Sequence, residues 1–390
     1  MDKYDMYIPT RTLFGAGSLR SLHEQPMPGK KALIVISNGK STKVNGYLSR
    51  TENELEVAGV EYVLFDQVES NPLCSTVMKG SHIARGSHCD FIVALGGGSV
   101  MDASKGIAVA ATNEGDIWDY IQSGTGGRKP IKNQPLPIIA ITTTAGTGSE
   151  TDAGGVISND ITHEKIGLVD IRLFPKLALV DPELMLTVPS KYTAYQGFDA
   201  LFHSVEGYVS KAANPMSDMY ALTAIEHISR YLPVAVKDGT DLEAREHVAF
   251  GNTLSGTVMC VGRTTSQHSL EHAMSAYHQN LPHGAGLIMI SIAYFSHLVN
   301  SRACDDRFIR LAKVMGKEDA DKPEDFITQL RLLQEECGVT SLKMSDYGIS
   351  PEEFRKFTAN AKTTMGKLFL CDRVDLTDAD CVSIFQASYK

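Results

Sequence analysis

The pattern of apolar and polar positions divides the chain into two halves of different character. In the first half, short apolar runs alternate with amphipathic stretches. Lys31-Ala32-Leu33-Ile34-Val35-Ile36 is almost continuously apolar, the mark of a strand buried on both faces. Residues 62–65, 91–95 and 136–142 read the same way, and Ala178-Leu179-Val180 supplies a last strand, ended by Asp181-Pro182. Residues 47–58 and 74–86 carry helical periodicity between them. Strands alternating with helices predict a parallel, doubly wound sheet. Beyond Pro189 the period changes. Helices are predicted over 191–209, 215–231, 242–260, 284–299, 305–315 and 323–337, with another opened by Pro351 and a short one near Thr377. The expected organisation is a Rossmann-like α/β domain over residues 1–187 and an all-α domain over 188–390.

Two glycine-rich turns follow strands in the first half. Phe91–Leu95 runs directly into Gly96-Gly97-Gly98-Ser99-Val100-Met101-Asp102, and the next strand runs into Thr143-Thr144-Ala145-Gly146-Thr147-Gly148-Ser149-Glu150. A strand, a glycine turn and a helix start present free backbone N–H groups to a phosphate. Ser99 could add a hydroxyl donor or cap the helix. Neither turn matches Gly-x-Gly-x-x-Gly, and Asn38-Gly39-Lys40-Ser41 lacks the upstream glycine of a P-loop. Ligands in open α/β sheets sit beyond the C-terminal strand ends, where both turns lie, so one dinucleotide could span them.

The second half carries a different chemistry. Asp199 and His203 are four apart, so on a helix they share a face. His268 and His272 repeat that spacing. His268, His272, His278 and His283 are four of the chain's 12 histidines, and they fall in one otherwise apolar stretch. A carboxylate and several imidazoles on facing helices can close around one divalent metal and leave a position open. The expected ligands are Asp199, His203, His268 and His283.

Composition narrows the classes. With 390 residues, two domains are the prior. A net charge of -9 and the lack of any Lys/Arg run argue against nucleic acid or an anionic membrane as partner. No apolar run reaches the roughly 20 residues needed to span a bilayer. The opening residues show no basic-then-apolar signal pattern. The 7 cysteines are scattered without a Cys-x-x-Cys, which suggests neither a disulfide framework nor a thiolate zinc site. A reduced, cytoplasmic location is expected.

Taken in order, Pro9–Gly17, Asn71-Pro72, Gly96–Ser99 with Asp102 and Lys105, Thr143–Glu150, Asp181-Pro182-Glu183-Leu184, Gly197-x-Asp199-Ala200-x-x-His203 with Glu206, and Pro282-His283-Gly284 resemble the iron-containing (group III) alcohol dehydrogenases along nearly the whole chain. The resemblance implies a dehydroquinate synthase-like architecture, with a nicotinamide dinucleotide on the α/β domain and a divalent metal, iron before zinc, on the helical one. It implies Asp199, His203, His268 and His283 as metal ligands. It carries cofactor contacts to Asn71, Gly97, Gly98, Ser99, Asp102, Thr143, Thr144, Thr147 and Lys165, the last following a sheet-edge segment at Gly155–Ile157. A homodimer or larger homo-oligomer is also implied. The family spaces the third and fourth ligand histidines by thirteen residues. Here fourteen intervene, and a one-residue bulge in 276–280, around His278, would absorb the difference.

The expected reaction is reversible hydride transfer between a primary alcohol and NAD(P), with His272 as proton relay or substrate-orienting group and Glu206 and Glu271 behind the imidazoles. NAD-preferring members of such families place an acid after the first strand. Here Ser37-Asn38-Gly39-Lys40-Ser41 holds none, which favours NADP(H). Alternatives are a glycerol-dehydrogenase-like polyol oxidoreductase, a dehydroquinate-synthase-like lyase, and a non-catalytic nucleotide- or metal-sensing module.

Overall fold

The computed structural model describes residues 4–390. It divides into two compact units, Ile8–Thr187 and Val188–Lys390, with residues 4–7 grouped with the second.

The first unit is built on a six-stranded parallel sheet. Its strands are β1 (Arg11–Phe14), β2 (Lys31–Ser37), β3 (Glu61–Val68), β4 (Phe91–Gly96), β5 (Ile138–Thr142) and β8 (Leu177–Val180), in the order β1-β8-β5-β4-β2-β3. Ala32 to Ile36 and Phe91 to Leu95 are fully buried, as continuous apolar strands between two helical layers must be. Helices α1 (Ser41–Val44), α2 (Tyr47–Val57), α3 (Cys74–Gly86) and α4 (Gly98–Thr112) join them. Alternate residues feed two cores. Leu33, Val35, Ile92 and Ala94 pack with α4, whereas Ala32, Ile34, Phe91 and Val93 pack with Leu48 and Leu55 of α2.

Two features differ from the sequence expectation. The four-residue β1 is too short and too exposed to show a period, but it pairs in register with β8 from Arg11↔Leu177 to Phe14↔Val180. The segment Gly155–Ile157 is not an edge of the main sheet. It belongs to β6 (Gly154–Asn159), which forms a separate antiparallel hairpin with β7 (Glu164–Val169). Asp181, fully buried, explains the Asp-Pro-Glu-Leu segment structurally. Its carboxylate accepts from the backbone N–H groups of Gly17 (2.9 Å), Leu19 (3.1 Å) and Glu183 (3.0 Å), closing the chain after β1 onto the end of β8.

The second unit is helical: α5 (Ser190–Val209), α6 (Pro215–Lys237), α7 (Leu242–Val261), α8 (Ser266–Tyr277), α9 (His283–Asn300), α10 (Asp305–Val314), α11 (Glu324–Glu336), α12 (Phe354–Thr364) and α13 (Asp378–Ser388). Small residues set the approach of the first three. A Cβ on Gly197 would lie 2.2 Å from Leu232, one on Gly207 2.3 Å from Val258, and one on Gly251 2.6 Å from Ile228. Among the described residues, no helix is long and apolar enough to cross a membrane.

One buried charge ties the first unit's second glycine turn to α4. The Lys105 ammonium, 1% exposed, donates to Ser149 O (2.8 Å), Ser149 Oγ (2.9 Å), Asp152 Oδ1 (2.6 Å) and Gly154 O (2.5 Å). Removing one partner of a buried pair leaves the rest uncompensated. Lys105→Ala is expected to cost about 3–5 kcal/mol in chemical denaturation, with the 147–154 segment becoming protease-sensitive.

Candidate metal centre and nucleotide turns

In the second unit, α5 carries Asp199 and His203 one turn apart, α8 carries His268 and His272, and His283 is the first residue of α9, straight after Pro282. Their side chains meet. Asp199 Oδ1 lies 3.4 Å from His283 Nε2, 3.6 Å from His268 Nε2 and 3.7 Å from His203 Nε2. The His203 and His268 rings stack at 4.4 Å. Ligand atoms of Asp199, His268 and His283 all lie within 4.8 Å of one another. Donors about 2.1 Å from a tetrahedral centre stand roughly 3.4 Å apart. The spacing around Asp199 is that of such a shell, and it is long for a direct hydrogen bond.

Two of these atoms test the fit. Asp199 Oδ1 and His268 Nε2 are buried and make no hydrogen bond. Buried polar atoms without partners are rare and call for an explanation. A divalent cation among them supplies one.

The other faces of the imidazoles are held by acids. His268 Nδ1 is 2.5 Å from Glu206 Oε1, and His283 Nδ1 meets Glu271 Oε2. Both glutamates are fully buried. A carboxylate on Nδ1 fixes the tautomer and turns Nε2 toward a metal. The charges agree. Burial would push Asp199 up, but the neighbouring His203, His283 and His268 hold its carboxyl well below the usual range. Burial would lower His268, yet Glu206 and Asp199 lift it to about 10. The pocket therefore demands positive charge, whether from protons or from a cation.

His272 is buried beside this shell, its ring 5.1 Å from His283 and 6.4 Å from His268, with Nδ1 against Met365 Sδ at 2.8 Å. His278 does not join. Its Nδ1 faces Tyr347 O at 3.2 Å and its Nε2 faces Glu353 at 3.0 Å. Helix α8 ends at Tyr277. The turn that follows is closed by Leu281 N–H to His278 O (2.9 Å).

In the first unit the two glycine turns touch. A Cβ on Gly97 would stand 2.9 Å from Thr144, and one on Gly98 would stand 2.3 Å from Thr147. Neither glycine has positive φ, so close packing rather than backbone conformation requires them here. Gly97 is the N-cap of α4 with no side-chain cap, and Ser99 sits inside the first turn instead of capping it. The helix start thus keeps N–H groups for an anion. Thr143 N–H is bonded to Gly96 O (2.9 Å). Asp102 Oδ1 accepts from Ser149 Oγ (2.9 Å). Burial raises this carboxyl to about 6, with Lys105 pulling the other way. Asn71, at φ 56, precedes a segment whose Pro72 O accepts from Ser158 N–H (2.9 Å), and Ser158 pairs across the hairpin with the buried Lys165. These residues gather in two groups, around α4 and around Ser158.

A family model described as iron-containing alcohol dehydrogenase matches residues 9–182. A second, for the C-terminal part of the Fe-containing alcohol dehydrogenase family, matches residues 193–389. The chain belongs to the iron-containing alcohol dehydrogenase family. It is 34% identical over 360 residues to a 1,3-propanediol dehydrogenase of Citrobacter freundii, covering 90% of each. It is 31% identical over 366 residues to the NAD-dependent methanol dehydrogenase of Bacillus methanolicus, covering 92% of this chain and 93% of the relative. The crystal structure of an archaeal halo-thermophilic Red Sea brine pool alcohol dehydrogenase matches with a TM-score of 0.94 at 32% identity over 99% of both chains. The enzyme is therefore a metal-dependent alcohol dehydrogenase using NAD(P), the reading these relatives support over the lyase and sensing-module alternatives.

Thr265 was not legible as part of the dehydrogenase's centre. It stands at the N-cap position of α8 without capping it, and both its N–H and its hydroxyl donate to Glu206 Oε2 at 2.8 Å. A Thr-Ser pair three residues before the first histidine of a His-rich helix is the one local hint. The start of α9 is fixed by backbone contact, since a Cβ on Gly284 would lie 2.1 Å from Tyr195 O. Gly284→Ala must push α9 away from α5. It is expected to cost about 1–3 kcal/mol and to lower metal content, measured by denaturation and by elemental analysis of the purified protein.

Proposed function

We propose that Asp199, His203, His268 and His283 together hold one divalent ion, iron(II) in keeping with the family description. The observation that carries this is the convergence of three Nε2 atoms on Asp199 Oδ1 at 3.4–3.7 Å, with buried donor atoms left unsatisfied. When bound, the ion supplies a Lewis acid for the substrate oxygen, and the nicotinamide supplies or accepts the hydride. Asp199 is the only anionic member of the ligand set, so the loaded set stays net positive and favours an alkoxide over a neutral alcohol. Glu206 and Glu271 keep the two imidazoles turned inward. His272, with Nδ1 occupied by the Met365 thioether, presents Nε2 as the atom that takes or returns the alcohol proton.

Phosphates of the dinucleotide are assigned to the N–H groups opening α4, at Gly97, Gly98 and Ser99, and to Thr143, Thr144 and Thr147. Asp102, Asn71 and Lys165 complete the proposed cofactor contacts. NADP(H) is the preferred form in this reading. No carboxylate stands at 37–41, Lys40 is exposed, and Asp66 at the end of β3 is paired with Lys43 at 2.5 Å. The NAD-dependent relative from Bacillus methanolicus makes the opposite preference the natural comparison. A primary alcohol or its aldehyde is the proposed substrate, and a homodimer or larger homo-oligomer the proposed assembly.

Two experiments test this reading. Asp199→Ala or His268→Ala should abolish bound metal and reduce activity by several orders of magnitude, while dinucleotide affinity by titration stays near wild type. Full activity after exhaustive chelation would refute the ligand assignment. For the cofactor, kcat/KM with NADP should exceed that with NAD, and Asn38→Asp should reverse the order. A wild-type preference for NAD would overturn that part alone.

A further inference from the structure

We propose that Asp372, at the N-terminal end of α8, is a positioning residue for the metal centre: acting as a neutral acid, it begins a hydrogen-bond chain through Tyr294 and Thr265 that fixes Glu206 and with it the ring of His268. The inference rests on the ligand assignment above and extends it to residues outside the shell.

The chain is read from proton counting. Glu206 Oε2 accepts the Thr265 hydroxyl proton at 2.8 Å, and Oε1 faces His268 Nδ1 at 2.5 Å. A threonine hydroxyl has one proton to give. In its 2.9 Å contact with the Tyr294 hydroxyl, Thr265 must therefore accept. Tyr294 has then spent its own proton. Its 2.7 Å contact with Asp372 Oδ1 needs a proton from the other side, and Asp372 must donate it. Tyr294 can also accept from Ser266 Oγ at 3.3 Å, while Ser266 N–H donates to Asp372 Oδ1 at 3.2 Å. With this assignment every contact has one donor and one acceptor, and all hydroxyl dipoles point toward the Glu206 carboxylate, where they reinforce one another. With Asp372 ionised, Tyr294 would turn its proton away and Thr265 would lose a donor.

Three further observations agree. Asp372, Tyr294, Thr265 and Glu206 are all fully buried. Asp372 Oδ2 is buried without a hydrogen-bond partner, which a carboxyl C=O tolerates better than a carboxylate. Burial, with the charge of Glu206 adding to it, pushes the Asp372 carboxyl up to about 7. The loop bearing Asp372 is itself fastened. Arg373 donates to Val209 O and Ser210 O at 2.9 Å, and Lys211 N–H bonds Cys371 O at 2.8 Å, so the chain begins from a fixed point at the end of α5.

The test uses the full-length protein and two readouts. Iron(II) or zinc(II) affinity is measured by chelator competition, and the His268 Nδ1–H signal is followed by imidazole NMR in the metal-free protein. Tyr294→Phe and Asp372→Ala should weaken metal binding about 10- to 100-fold and shift the His268 signal. Asp372→Asn, whose amide N–H can donate to Tyr294 but cannot also accept from Ser266 N–H, should fall between wild type and Asp372→Ala in affinity. Wild-type affinity and an unmoved signal in Tyr294→Phe would overturn the proposal, as would Asp372→Asn failing as badly as Asp372→Ala. Thermal unfolding of each metal-free variant separates a folding defect from a loss of positioning. If His268→Ala instead left metal affinity intact, the ligand assignment itself would fall, whatever the behaviour of Asp372.

Discussion

Three imidazoles crowd one oxygen of one buried carboxylate, and the helical unit is arranged around that crowding. Nε2 atoms at 3.4, 3.6 and 3.7 Å from Asp199 Oδ1 are too far for good hydrogen bonds and too near to ignore one another. Such a set is stable only when positive charge sits inside it. Glu206 and Asp199 favour it by lifting the proton affinity of His268 when no cation is present. A site that raises His268 to about 10 would have to release protons to take up a cation, so occupancy of the proposed metal site should depend on pH.

Precision comes from elements that never face the substrate. The acids behind His268 and His283 set ring orientation, and the backbone of α5 sets where α9 begins. Lys105 does comparable work in the nucleotide unit. Its buried ammonium holds Ser149, and Ser149 holds Asp102. In both units a charge removed from water gathers several backbone and side-chain partners, and a loop becomes a fixed surface.

Much of this was legible in the sequence, for identifiable reasons. The buried strands announced themselves because β2 and β4 are apolar on both faces. Asp199 with His203, and His268 with His272, were legible because a period of four places them on one face of a helix. β1 was not, since four residues with mixed exposure carry no period. The segment Gly155–Ile157 reads as a sheet edge but pairs in a separate hairpin, because so short a run does not reveal its partner. The chain from Asp372 to Glu206 was invisible for a different reason. Its members are 78 residues apart between Tyr294 and Asp372 and 59 apart between Glu206 and Thr265, and nothing local marks Tyr294 or Asp372 as partners of the legible Glu206. The glycines of the first turn were expected to make room for phosphate, and the structure adds a second demand, that of Thr144 and Thr147 pressing against them.

The turn between α8 and α9 has a consequence for how this scaffold tolerates change. His278 is moored to Glu353 and to Tyr347 O, and His283 is placed by the contact of Gly284 with α5. Only Gln279 and Asn280 lie exposed between these two moorings. The turn they form is closed by Leu281 N–H to His278 O, so a change of length at these two positions must remake that one bond while both moorings hold.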